Sequence, residues 1–432
     1  MSENLALTIS VILLLPTLLA GIPISFSMIT AALAFFILTA SDASIIPTNM
    51  FWFLNKSELL SIPFFILAAD LLGKSRATED LINAAEAIFG RMRGGLAMVA
   101  MVATIVFSAI SGSSVATAIA IGRVMIPKLI EGGYRRQFSV GLIAAGGGLG
   151  ILIPPSVPLI IFSTVAEISV GDVFLVAIGP GLVLGFSFCL YIYLVGDRMR
   201  SGKNLLKIEV AASSSDIVRL IARAAPVIAL PFLILGGIYG GVFTPTEAAS
   251  VSVIYSASLA LTFYRKSDMQ PAISIISDAG QLAAVVLFIM AATSVFGYIV
   301  TINQIPLSFS QFVQSWGPSL VVFLLCTNLM LLALGCFLEI ISVILITVPI
   351  LLPVILDFGM DPIHFGILVV INMELAVITP PIGMNLFVIS AISKVPILKV
   401  FQGAIPFVIL IALILILVTY SENFAMLSKY FF

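Results

Sequence analysis

Residues 111 to 127 read SGSSVATAIAIGRVMIP and lie between apolar runs, so Ser111, Ser113 and Ser114 fall where a membrane helix would ordinarily stay greasy. Hydroxyls, and carbonyls released where a helix is interrupted, are hard oxygen donors of the kind that suit a hard cation. Two further stretches offer the same chemistry: LIPPSVP (152 to 158) around Pro154, and ITPPIGMN (378 to 385) around Thr379, Pro380 and Asn385. A double proline removes two amide donors and breaks the helix. Non-helical backbone at membrane depth survives only where it lines a cavity or is buried in protein. The competing use of the three serines is packing, since small residues let helices approach closely in a bilayer.

The elements that hold these stretches are membrane helices. Hydrophobic residues make up 61% of the 432 and charged ones only 9%, with a mean hydropathy of +1.22, which excludes a soluble domain. One crossing takes about 20 apolar residues, so the chain has room for roughly ten to twelve crossings, of which about ten are expected to be full ones. MSENLALTIS lacks the basic region and cleavage site of a signal peptide and is expected to open the first crossing. A net charge of -1 and the lack of a basic stretch outside short loops argue against nucleic acid. Cys189, Cys326 and Cys336 lie in apolar runs without metal-ligand spacing and read as small core residues.

Residues 196 to 223 form the long polar interruption, and Arg198, Arg200, Lys203, Lys207, Arg219 and Arg223 place it in the cytoplasm. It separates two halves, 1–195 and 224–432, that repeat at an offset of 226: Pro127 falls on Pro353, Gly133 on Gly359, Pro154 and Pro155 on Pro380 and Pro381, and Pro180 on Pro406. The repeated signal is the proline and glycine punctuation.

Arg91 and Arg93 precede residues 95–130, and Lys128, Arg135 and Arg136 close them, so both ends are basic and both belong on the cytoplasmic face. That predicts a re-entrant hairpin with SGSS at its tip. Its counterpart, 318–356, is flanked by Asn303, Trp316, Asp357, Asp361 and His364, and is expected to open to the other face. Each hairpin precedes a proline-broken helix, 138–170 in the first half and 363–394 in the second. The expected fold is an all-α polytopic membrane protein of two inverted repeats with re-entrant hairpins, the construction of a secondary transporter with its site at the midplane. Stretches 77–90 and 306–316 are expected as surface helices carrying a moving domain, and both termini are expected in the periplasm.

SGSSVATAIAIGRVMIP, LIPPSVP, GGVFTPTEAA (240 to 249), DPIHFG (361 to 366) and ITPPIGMNLFVIS (378 to 390), in this order and over nearly the whole chain, resemble the large membrane subunit of tripartite ATP-independent periplasmic (TRAP) transporters. The resemblance implies an elevator-type, sodium-coupled importer of organic acid anions in the bacterial inner membrane. It also implies two partners, a small four-helix membrane subunit and a soluble periplasmic substrate-binding protein. Many dicarboxylate-type relatives have Asp where this chain has Thr117 and a small residue where it has Arg123, which tilts the expected substrate from a C4-dicarboxylate toward a sugar acid such as sialic acid.

Two sodium cavities are expected, each pairing a hairpin tip with a broken helix: Ser111, Ser113, Ser114 and Pro154 in the first, Gly335, Glu339, Thr379 and Pro380 in the second. Half-helix C-termini present carbonyl dipoles to the cation, and opposing N-termini offer amides to a substrate carboxylate, with Thr117 and Asn385 as side-chain ligands. Arg123 either snorkels to the cytoplasmic rim or meets a substrate carboxylate. Glu374 and Glu339 either tune a cation site or serve as structural carboxylates. Asp70 and Glu247 are expected to cap or link helices, and His364 to be structural. Two other classes make demands that this sequence does not meet. A channel wants a continuous polar path, and an intramembrane enzyme wants an Asp pair, a Ser–His pair or a metal cluster that a single histidine does not supply. A proton-coupled anion transporter working without a binding protein is the nearest alternative.

Overall fold

The computed structural model describes residues 3–200, 214–264 and 271–427, and among these the regular structure is helical. The chain opens with α1 (Glu3–Leu19), α2 (Ile24–Thr39), α3 (Ile45–Leu54) and, after a 3-10 turn at Ser57–Leu60, α4 (Ser61–Gly73). Then come α5 (Ala77–Phe89), α6 (Gly95–Ser111), α7 (Ser114–Glu131), α8 (Arg136–Leu152), α9 (Val157–Ala166) and α10 (Val170–Val195). The second half comprises α11 (Ser214–Tyr239), α12 (Pro245–Leu261), α13 (Ala272–Ile302), α14 (Ile305–Trp316), α15 (Leu320–Phe337) and α16 (Ile340–Asp357). It ends with α17 (Pro362–Ala376), α18 (Met384–Ser393), α19 (Ile397–Tyr420) and α20 (Glu422–Ala425).

Element boundaries recur at the 226 offset. Shifted by it, α7 covers the bounds of α16, and α6, α8, α9 and α10 fall within two residues of α15, α17, α18 and α19. Both double prolines, Pro154–Pro155 and Pro380–Pro381, contain a cis bond.

Length and composition make seven helical segments among the described residues long and apolar enough to cross a membrane: 136–166, 170–199, 215–239, 272–302, 320–337, 340–357 and 397–420. Other apolar helices, including α2, α3 and α6, are shorter.

The polar interruption is shorter than expected. Helix α11 starts at Ser214, so the last ten residues of the expected loop 196–223 are helical, because Ala224, Val227, Leu230 and Ile234 already form a buried stripe at helical spacing. Lys203 and Lys207 lie outside the described residues. Cys326 is exposed on α15 rather than packed in the core, whereas Cys336 is buried.

Helices α8 and α17 form the centre, buried on every side from Phe138 to Leu152 and from His364 to Ala376. Around them pack α6, α7, α10, α15, α16, α18 and α19, while α4 packs on α12 and α13 lies along α2 and α3. Helices α5 and α14 bridge the groups, α5 lying against α6 and α11 and α14 against α13 and α16. Trp316, at the end of α14, is 78% exposed, a position suited to an interfacial aromatic.

Several charged residues join helices. Lys74, just past α4, binds Asp70 at 3.1 Å and Asp278 of α13 at 2.9 Å. Glu247 and Thr244 form a reciprocal cap at the start of α12. Buried His364 lies 2.6 Å from the carbonyl of Val418 and ties α17 to α19. Lys56 donates to the carbonyl of Thr164 at 3.2 Å and pairs with Glu167 at 3.6 Å, joining the turn before α4 to the end of α9.

Candidate functional site: two hairpin tips on two broken helices

The first tip is built by Gly112, which ends α6 with φ +60°, a left-handed conformation that an L side chain adopts at a cost. A Cβ there would also stand 2.7 Å from the carbonyl oxygen of Pro155. The tip and the proline break are hydrogen-bonded directly, since the amide of Val157 donates to the carbonyl of Gly112 at 3.2 Å.

Ser113 caps α7 by accepting from the amide of Ala116 at 3.4 Å. The Ser111 hydroxyl donates to the carbonyl of Ser113 at 3.2 Å and shares a hydrogen bond with the hydroxyl of Thr117. Ser111, Ser114 and Thr117 are buried. Across from them runs the glycine face of α8: a Cβ on Gly150 would meet Ser113 O at 2.6 Å and Thr117 Oγ1 at 2.8 Å. Ser111, Ser113, Ser114 and Thr117 thus gather at the break that contains Pro154.

The second tip joins α15 to α16 through Leu338 and Glu339. Gly335 packs on the end of α17, where a Cβ would stand 2.7 Å from Ala376 Cβ. Glu339 precedes the first turn of α16, a position that suits a carboxylate, and its Oε2 is buried without a partner. Thr379 spends its hydroxyl on the carbonyl of Leu375 at 2.7 Å. Thr379 and Pro380 are half-buried and Pro381 is exposed, so the second break is more open than the first, where residues 151–160 are all buried.

The halves interlock. Arm α7 packs on α18, and arm α16 packs on α9, so each hairpin leans on the short helix of the other half. Asn385 of α18 is fully buried and donates to the carbonyl of Ala144 in α8 at 3.1 Å, leaving its Oδ1 without a partner. Arg123 stands apart. It is exposed and lines a cavity of about 330 Å³ with Glu131, Ile392 and Ser393, six residues and about 9 Å along α7 from Thr117.

Nothing in the sequence pairs Glu374 of α17 with Gly148 of α8, on which it lies at the central crossing. The GGGLG run at 146–150 was its visible mark, a set of glycines in a helix interior that costs stability unless something packs closely there.

At each break two helices end and two begin: α6 and α8 end beside the starts of α7 and α9, and α15 and α17 end beside the starts of α16 and α18. Helix C-termini carry partial negative charge that attracts cations, and N-termini carry partial positive charge and free amides that attract anions. The oxygen-rich first tip and the unpartnered Glu339 carboxylate oxygen fit a hard cation.

An apolar helical bundle that brings two hairpin tips onto two interrupted helices is a secondary transporter by construction. The chain belongs to the DctM component family of the tripartite ATP-independent periplasmic transporters, which it matches over residues 11–424. It is therefore a multi-pass protein of the bacterial inner membrane and a transporter permease, not an enzyme. It is 39% identical over 362 residues to the C4-dicarboxylate TRAP transporter large permease DctM of Pseudomonas aeruginosa, with 84% of each chain covered. The Vibrio cholerae protein of the same name is 36% identical, with 96% of each chain covered. The sialic acid TRAP transporter large permease SiaM of Vibrio cholerae is 34% identical, with 95% of each covered. In fold, the chain is similar to the YdaH transporter of Alcanivorax borkumensis, with a TM-score of 0.61 and 13% identity, covering 88% of this chain and 87% of that one.

Proposed function

We propose that this chain imports an organic acid anion, of the sialic acid or C4-dicarboxylate type, in symport with sodium. The observation that carries this reading is the convergence of helix ends at two proline breaks, which supplies carbonyl-rich and amide-rich poles at the same place. Sodium is assigned to Ser111, Ser113, Ser114 and Pro154 at one break and to Gly335, Glu339, Thr379 and Pro380 at the other. Thr117 and Asn385 are assigned to the substrate carboxylate, and Arg123 to its path on the cytoplasmic side.

Two ions or more are favoured on energetic grounds. Each charge crossing 100 mV gains about 2.3 kcal/mol, so a monovalent anion entering with one sodium ion gains nothing from the potential; a second ion lets the potential drive its uptake, and a dicarboxylate dianion needs a third. The permease is assigned a small four-helix membrane subunit as its anchor and a soluble periplasmic binding protein as the source of its substrate. The hairpins and broken helices are assigned to the moving body of an elevator, with the halves inverted in the membrane.

The test is uptake into proteoliposomes holding the permease, the small subunit and the binding protein. Accumulation of sialate or a C4-dicarboxylate that follows an imposed sodium gradient is the expected result. Accumulation that follows a proton gradient and ignores sodium, or flux without accumulation, would overturn it.

A further inference from the structure

Glu374 is fully buried in α17, and neither of its carboxyl oxygens has a hydrogen-bond partner. The side chain rests on Gly148 of α8, where an added Cβ would lie 2.8 Å from Glu374 Cγ and 3.1 Å from Oε1. At the 226 offset the two residues are counterparts, so the carboxyl sits where the two halves cross. We propose that this crossing is a proton-binding site in which Glu374 is held as the neutral acid, separate from both sodium cavities.

An ionised carboxylate without a partner is not tolerated in a low-dielectric interior, so the group must bind a cation or a proton. No protein cation does the work among the described residues. Lys56 pairs with Glu167, Lys74 with Asp70 and Asp278, and Lys128 with Glu86. Arg136, at the start of α8, is twelve residues and about 18 Å along the helix from Gly148. Lys399 of α19 is exposed.

A metal ion fits poorly. It needs several oxygens, whereas α8 opposite the carboxyl offers Ala145, Gly146, Gly147, Gly148 and Leu149, with no side-chain oxygen and with carbonyls engaged in an unbroken helix. A proton needs only the carboxyl. The neutral acid also carries an O–H donor, and an acceptor lacking one is Asn385 Oδ1, whose amide is anchored at Ala144, one turn of α8 from Gly148.

Infrared spectroscopy of the reconstituted full chain reads this state through the carbonyl stretch of a protonated carboxylic acid. The expected result is a band that persists from neutral to alkaline pH, disappears in Glu374→Gln, survives in Glu339→Gln, and does not move when sodium is added. The Gln variant should keep its sodium dependence within about twofold. Should that variant fail to assemble, the wild-type spectrum with isotope-labelled glutamate, compared with Glu339→Gln, reads the same band. Absence of the band, its loss on adding sodium, or a tenfold rise in the sodium needed by Glu374→Gln would overturn the proposal. If wild-type uptake ignores sodium, the symport reading fails while the band still decides this one.

Discussion

Gly148 and Glu374 stand 226 residues apart in the chain and in contact in the fold, the missing side chain of one making the space for the carboxyl of the other. A repeat that kept the same residue at both positions would leave either a hole or a collision. The asymmetry lets two helices that are buried on every side cross closely.

Gly148→Ala should therefore destabilise the bundle by about 1–3 kcal/mol through overpacking. Adding Glu374→Ala to it should cost less than the two single changes together. Thermal unfolding of the four proteins of this cycle in detergent checks the coupling, and simple additivity would contradict the contact.

Gly112→Ala meets two obstacles, a φ of +60° and the Pro155 carbonyl 2.7 Å from the new methyl. The conformational penalty alone is about 1–2 kcal/mol. Uptake should fall at least tenfold while membrane expression holds, as measured by initial rates normalised to protein. An unchanged rate would mean that the tip need not seat on the break.

Ser114→Ala and Thr379→Ala should each raise the sodium concentration for half-maximal uptake several-fold. Thr379 already donates its hydroxyl to Leu375, so the change there should be the smaller of the two. A sodium titration of uptake rates measures both, and identical curves for wild type and variants would remove these residues from the cation sites.

His364→Ala should lower stability by about 1–3 kcal/mol, because it strips a buried partner from the Val418 carbonyl. The pH profile of uptake should stay where it is, since the ring acts as a tie between α17 and α19. A shifted profile would assign it a proton-transfer role.

Single cysteines at positions 203 and 360, in a chain first cleared of Cys189, Cys326 and Cys336, should react with impermeant reagents from opposite faces of the membrane. Labelling from one face would refute the inverted arrangement.

What the sequence could disclose was local. Prolines and glycines interrupt helices wherever they fall, so the bounds expected at 95–130 and 318–356 lie within two residues of those of the helix pairs α6–α7 and α15–α16. The start of α11 was hidden because its polar first turns read as loop until the buried stripe from Ala224 is seen in space. Glu374 and Asn385 are visible as polar residues, but not the residues they pack against. Helices α8 and α17 are buried all round and show no apolar face, so periodicity says nothing about which residue meets which. Contacts such as Asn385 to Ala144, 241 residues apart, are decided by the crossing of the halves.

The bridge from Lys56 to the end of α9 offsets two unfavourable features of Glu167. Glu167 is a non-glycine residue at φ +55° and places negative charge at the negative end of a helix, so its position is unfavourable on both counts without the ammonium beside it. With the lysine side chain 34% and the carboxylate side chain 80% exposed, the pair is worth at most about 1 kcal/mol in water. Because salt screens such a pair, its share in holding the end of α9 on the turn before α4 shrinks as ionic strength rises, and the carbonyl bond from Lys56 to Thr164 and the buried body of α9 carry the rest.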